Sequence, residues 1–199
     1  MSRSLRIAVA DDEPVMCEYL EKTLPLLGHK VVAVATSGRE LIDLCAKSEP
    51  ELIITDIKMP DMDGIEAAGI VVQNRPVPVI LVSAYHDPKL IERAGAEYVQ
   101  AFLVKPIKQA DLETSIGVAL QRYEQFRALY REAQDLRQAL ADRKVIERAK
   151  GIVMNRTGQP EQAVFQRMQK LASSRNMKMV DLAQMVLTVE ELFAPAQKT

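Results

Sequence analysis

Between residues 5 and 107, short apolar runs alternate with stretches of helical periodicity. Leu5–Ala10, Val31–Ala35, Leu52–Thr55, Val79–Val82 and Ala101–Val104 are runs of mostly aliphatic and small residues. Runs of this kind predict strands buried on both faces. Behind Pro14, which suits a first helical turn, Val15, Met16, Tyr19, Leu20, Thr23 and Leu24 recur at helical spacing, and Gly28 ends that helix. Ser37 caps a second helix through Lys47, with Leu41, Ile42, Leu44 and Cys45 facing inward. Asp63-Gly64 starts a third helix to about Asn74, and Pro88–Ala94 forms a short fourth. Five βα units predict an α/β fold, a doubly wound parallel sheet with helices on both faces and right-handed crossovers.

After Pro106 the pattern becomes helical and stays so. Leu112, Ile116, Ala119, Leu120 and Tyr123 form one stripe. Phe126, Leu129, Ala133, Leu136 and Leu140 continue it at heptad-like spacing. No Pro or Gly occurs between Gly117 and Gly151, so one helix from about Ala110 to Met154 is predicted, roughly 65 Å long at 1.5 Å per residue. Its outer half needs a partner: folding back on the last domain is one solution, and conditional pairing with a second copy of the chain is the favoured one. The end of that helix (Val145, Ile146, Ala149, Ile152, Val153) joins two more, about Glu161–Ser173 and Met179–Phe193, in a small all-α three-helix domain. The inward residues predicted are Ala163, Val164, Phe165, Met168, Leu171 and Ala172, then Val180, Leu182, Ala183, Val186, Leu187 and Leu192. Phe193 also reads as core. The boundaries read as 1–120, 121–142 for the connecting helix, 143–193, and a loose tail 194–199.

Composition adds constraints. With 199 residues and 48% hydrophobic content, two domains can each bury a core, mostly aliphatic because aromatics are 5% and Trp is absent. Cys17 and Cys45 have no metal-binding spacing and read as small core residues of a reducing compartment. The N-terminal apolar run is too short for a signal peptide, and no stretch approaches a membrane span. The expectation is a cytoplasmic protein with no membrane partner. His29 and His86 read as surface-loop residues.

Net charge is −1, but it is distributed unevenly. Residues 143–178 hold nine basic residues against Glu147 and Glu161, a local +7 that leaves −8 for the rest of the chain. That asymmetry is the footprint of a nucleic-acid-binding module attached to an acidic domain; a solvated helix surface is the bland alternative.

Candidate chemistry lies at the strand ends. Strand one closes at Asp11 and Asp12, strand three at Asp56, strand four at Ser83 and strand five at Lys105. In a parallel sheet these ends share one edge, where open α/β sheets bind ligands. Three carboxylates so placed repel unless a cation joins them, and a hard, oxygen-seeking ion such as Mg²⁺ suits them. Lys105 and Ser83 can hold phosphoryl oxygens. The Asp61-Met62-Asp63 run is not taken as a phosphohydrolase nucleophile, because it follows Pro60 rather than closing a strand; Asp61 and Asp63 serve the turn and the helix cap.

The set Asp11-Asp12, Asp56, Ser83-Ala84 and Lys105-Pro106 resembles the receiver domain of bacterial response regulators. The resemblance implies sheet order 2-1-3-4-5 and a phosphoacceptor, Asp56, served by a sensor histidine kinase. It implies Mg²⁺ held by the side chains of Asp12 and Asp56 and by the Lys58 carbonyl, with Asp11 acting directly or through water, and Ser83 and Lys105 on the phosphoryl group. Phe102 matches the family's switch aromatic; lacking the hydroxyl of the frequent Tyr, it would report through ring packing. Residues 135–190 resemble the ANTAR module of AmiR- and NasR-type antiterminators, through Arg143, Ile146, Glu147, Ala149-Lys150-Gly151, Met154, Glu161, Ala163, Leu171-Ala172, Arg175, Met177 and Ala183. That resemblance implies binding of RNA stem-loops in nascent transcripts; a final segment with no His, no Cys and few acids favours a non-enzymatic output, and the heptad-like stripe a phosphorylation-linked homodimer. Arg143, Lys144, Arg148 and Lys150 are the expected RNA contacts, with Arg175 and Lys178 secondary. With both phenylalanines of the segment assigned to the core, recognition would rest on charge, shape and base edges. The rivals are a DNA-binding regulator, for which neither Gly158-Gln159-Pro160 nor Arg175–Lys178 clearly supplies the compact turn, an enzyme, and a protein-interaction adaptor.

Overall fold

The structure, a computed structural model, describes residues 3–84 and 98–193. The predicted helix Pro88–Ala94, His86 and the tail after Phe193 lie outside the described residues. Elements run β1 Arg6–Ala10, α1 Pro14–Leu26, β2 Lys30–Ala35, α2 Gly38–Ser48, β3 Leu52–Asp56, α3 Gly64–Asn74, β4 Val79–Ser83, β5 Val99–Val104, α4 Gln109–Thr157, α5 Glu161–Ser174 and α6 Met179–Phe193. The chain divides into two compact units, Met1–Arg127 and Ala128–Thr199.

In the first unit the five strands pair in parallel in the order β2-β1-β3-β4-β5. Every residue of central β3 is buried, as its unbroken apolar run requires. One sheet face carries Ile7, Val9, Ile54 and Ile80 against Leu20 and Leu24 of α1 and Leu112 and Ile116 of α4. The other carries Ala8, Ile53 and Leu81 against Leu41 and Cys45 of α2 and Ile65 and Ala68 of α3. Each fully buried Leu or Ile contributes roughly 1.5–3 kcal/mol. Both cysteines are buried thiols, and burial pushes Cys45 up to about 11, which suits a core residue rather than a nucleophile.

Local signals set the ends. Pro14 opens α1 behind Glu13. Gly28, at φ 86°, closes it: Gly28 N–H donates to the Pro25 carbonyl at 3.0 Å and His29 N–H to that of Leu24 at 3.0 Å. The Asp63 carboxylate accepts from Glu66 N–H at 2.8 Å and caps α3. Gly64 follows because nothing larger fits: a Cβ there would stand 1.9 Å from the Asp56 carbonyl oxygen.

Early α4 belongs to this unit. Leu112, Ile116 and Ala119 are buried, and Tyr123 Oη donates to the Pro76 carbonyl at 2.7 Å. Beyond Arg127 the helix is exposed through Ala141, including Leu129, Leu136 and Leu140 of the heptad stripe.

The second unit packs Ala149 of α4, Val164, Met168 and Ala172 of α5, and Leu182, Ala183 and Leu187 of α6 into one small core. This corrects several inward assignments. Phe165 and Leu171 are 41% and 39% exposed, and Leu192 and Phe193 still more so. Val164, Met168 and Ala172 recur every four residues, a stripe so narrow that the neighbouring Phe165, about 100° round the helix, falls outside it. The α5–α6 connection is also tighter than expected. Only Arg175 to Lys178 join the helices; Asn176 takes φ 51°, and Met177 N–H donates to the Ala172 carbonyl at 3.1 Å. Asparagine supplies the left-handed residue that glycine usually provides. Among the described residues, no helix is long and apolar enough to cross a membrane.

Candidate phosphoacceptor pocket and basic helical surface

The strand ends converge as the parallel topology requires. Asp11 follows β1 and is fixed by its N–H to the Ala35 carbonyl at 3.1 Å. Asp56 is the last residue of β3 and Ser83 that of β4. Lys105 follows β5, donates its N–H to the Ser83 carbonyl at 2.9 Å, and precedes Pro106 through a cis peptide. Asp11 and Asp56 are both buried.

Lys105 binds the pocket together. Its Nζ lies 2.9 Å from Asp11 Oδ2, 3.3 Å from Asp56 Oδ1 and 2.9 Å from Glu13 Oε1. Glu13 was not among the predicted site residues. An acid before a helix-opening proline reads as a partner of the helix dipole, and nothing in its spacing points back to Lys105. Asp56 Oδ2 accepts from Lys58 N–H at 2.9 Å. Burial raises the Asp56 carboxyl above the usual range; the Lys105 ammonium opposes that shift and the Asp11 carboxylate adds to it. For Lys105, burial disfavours the charge, but Glu13, Asp11 and Asp56 outweigh it and hold the ammonium well above the usual lysine range.

The predicted grouping of three carboxylates is not assembled. Asp12 is exposed, and among the described residues no three acids stand as a metal-holding cluster. Lys105 stands between Asp11 and Asp56, the two carboxylates that the pocket brings together. The donors still suit a hard cation. Asp11 Oδ2 is buried without a hydrogen bond, its contact with Lys105 Nζ being an ion pair only, and the donors are all oxygens. Lys58 meets Asp56 through its N–H. Ser83 is half-buried at the pocket edge, and Phe102 is 42% exposed on β5 between buried Ala101 and Leu103.

In the second unit Arg143, Lys144, Arg148, Arg175 and Lys178 are exposed, and so are Arg167 and Lys170. Lys150 is different: it is buried, with its Nζ 2.6 Å from Glu147 Oε2 and 2.7 Å from Glu161 Oε1. Glu147 first and then Glu161 raise its pKa. Lys150 is thus engaged by the two acids of the basic segment and is not presented as a free cation. Arg156 is exposed but makes a bidentate pair with Glu190.

The sheet order, the buried aspartates at the strand ends and the cross-pocket lysine define a two-component response regulator. The family described as response regulator receiver domain matches residues 7–117, and the ANTAR domain matches residues 134–187. The chain belongs to the response-regulator family, with a receiver domain followed by an ANTAR domain, the RNA-binding module of antiterminators. It is 35% identical to the transcriptional regulatory protein PdtaR of Mycobacterium tuberculosis (strain ATCC 25618 / H37Rv), over 92% of this chain and 89% of PdtaR. A protein-glutamate methylesterase/protein-glutamine glutaminase of Mesorhizobium japonicum is 36% identical over only 44% of this chain and 26% of its own length, within the receiver. The receiver domain of the response regulator NarL from M. tuberculosis superposes with a TM-score of 0.55 at 27% identity, covering 62% of this chain and 98% of that one. The architecture fits a signal regulator rather than an enzyme: a receiver implies a sensor kinase partner, and an ANTAR domain implies RNA binding.

Proposed function

We propose that phosphorylation of Asp56 governs binding of the helical unit to RNA stem-loops, and so controls transcription antitermination. The observation that carries this reading is the buried pairing of Asp56 and Asp11 with Lys105. Lys58 N–H holds Asp56 Oδ2, which leaves Oδ1, beside Lys105, as the attacking oxygen. Its lone pair forms the new O–P bond while the bond from phosphorus to a kinase histidine nitrogen breaks, and that nitrogen keeps the bonding electrons. Mg²⁺, held by the carboxylates of Asp11, Asp12 and Asp56 and the Lys58 carbonyl, would neutralise charge on the phosphoryl oxygens. Lys105 then exchanges Asp56 for a phosphoryl oxygen, Ser83 donates to another, and Phe102 repacks. The change is a population shift rather than a new fold.

The exposed stripe Leu129, Ala133, Leu136 and Leu140 pairs with that of a second copy, so that two basic units meet two RNA loops at high effective concentration. Arg143, Lys144 and Arg148 contact RNA first, with Arg175 and Lys178 secondary. Exposed Phe165 adds an aromatic face, so base stacking joins charge and shape as a means of recognition. A second reading has one observation in its favour: the four-residue α5–α6 connection is as short as that of a helix-turn-helix, which would direct the unit to DNA. Gel shifts of the phosphorylated chain with RNA hairpins and with duplex DNA separate the two. Tight, hairpin-dependent RNA binding is expected; preference for the duplex would overturn the RNA reading.

A further inference from the structure

Lys105 must give up a carboxylate before it can hold a phosphoryl group, and its three carboxylate partners differ in what they do next. Asp56 is the acceptor itself and has the longest contact, at 3.3 Å. Asp11 has a buried oxygen suited to a cation. Glu13 has neither function, yet it holds Nζ at 2.9 Å from the solvent side, its own carboxylate largely exposed. Its backbone leaves it little freedom. Glu13 N–H donates to Asp11 Oδ1 at 2.9 Å, and its carbonyl accepts from Met16 N–H at 2.9 Å as the N-cap of α1. The side chain is thereby rooted beside the pocket and leans over it.

We infer that Glu13 is a positioning residue that competes with the incoming phosphoryl group for Lys105 and so lowers the pocket's affinity for it. This inference rests on Asp56 being the phosphoacceptor. A carboxylate at hydrogen-bond distance shares the ammonium's donors, and each phosphoryl oxygen that binds Lys105 must displace it. Because Glu13 faces water, the displacement is reversible and its effect modest. Exposed ion pairs of this kind correspond to roughly a two- to fivefold change in an equilibrium constant.

The test is calorimetric titration of the full chain with beryllofluoride, a phosphoryl mimic, in saturating Mg²⁺. Glu13→Gln should bind about two- to fivefold more tightly than the wild type. Glu13→Asp keeps the charge but is one methylene too short to reach Nζ, and it should behave like Glu13→Gln. Equal or weaker binding by Glu13→Gln would overturn the inference while leaving the phosphoacceptor reading intact. Tighter binding by Glu13→Gln with wild-type behaviour in Glu13→Asp would also overturn it, because the effect would then be general repulsion of an anion. A wild-type chain that binds no beryllofluoride would overturn both. Glu13 is 64% exposed, so neither variant threatens the fold, and unchanged melting of the uncomplexed chains verifies that.

Discussion

Lys105 in the receiver unit and Lys150 in the helical unit are both lysines enclosed by carboxylates, and both have a raised pKa. Their partners differ. Two of the three acids around Lys105 are themselves buried, Asp11 at 1% and Asp56 at 8% side-chain exposure. Those around Lys150, Glu147 and Glu161, are more than half exposed. Two buried carboxylates sharing one ammonium leave an excess negative charge in low dielectric, and an arriving divalent ion or a redistribution of the lysine relieves it. The Lys150 group has no buried excess charge and is complete as it stands. Residue type alone would have put both lysines on ligands; burial of the partners separates a pocket poised to rearrange from a clamp joining α4 to the start of α5.

The sharpest break of that comparison is Lys105→Met. It leaves Asp11 and Asp56 facing each other without a cation, and breaking a buried pair from one side costs on the order of 3–5 kcal/mol. Melting of the receiver should fall accordingly in chelator and recover in part with Mg²⁺, which replaces the missing positive charge. Lys150→Met should shift melting of the helical unit only slightly, and Mg²⁺ should not reverse it.

Gly64→Ala comes next in size. Its methyl group would meet the Asp56 carbonyl at 1.9 Å, so the chain must shift at the acceptor itself. A loss of about 1–3 kcal/mol is expected, with slower phosphoryl incorporation into Asp56 as a second readout.

The smallest effect concerns how each cation meets RNA. Removing a phosphate contact lowers the slope of log affinity against log salt by about 0.7–0.9. Arg148→Ala should show that fall in hairpin titrations. Lys150→Met should weaken binding with the slope unchanged, because Lys150 positions the helices rather than touching phosphate. A reduced slope for Lys150→Met would return it to the contact surface.

The receiver was the more legible unit. Buried parallel strands are apolar runs ended by polar residues, so Asp11, Asp56, Ser83 and Lys105 could be placed on one edge from order alone. Asp63 as a cap and Gly28 as a helix terminator were equally readable. Glu13 was not, because its partner lies 92 positions away. The difference in burial between Asp11 and exposed Asp12 was not legible either, because sequence gives the strand end but not how deep each residue beyond it lies. In the helical unit net charge was legible and partners were not, although Glu147 and Lys150 are three apart, a spacing at which helical residues meet. Phe165 was misplaced because a three-helix unit buries a narrower stripe than its apolar content suggests. The α5–α6 turn was missed because Asn176 does what a glycine would have announced.

The most direct measurement is the affinity of the full chain for an RNA hairpin before and after treatment with a small phosphodonor and Mg²⁺, with Asp56→Asn alongside. Coupling between distant sites commonly amounts to about 1–3 kcal/mol, so phosphorylation should tighten binding by roughly 5- to 150-fold, and Asp56→Asn should abolish the gain. Equal affinity in all four conditions would contradict control of the basic helices by the acidic pocket.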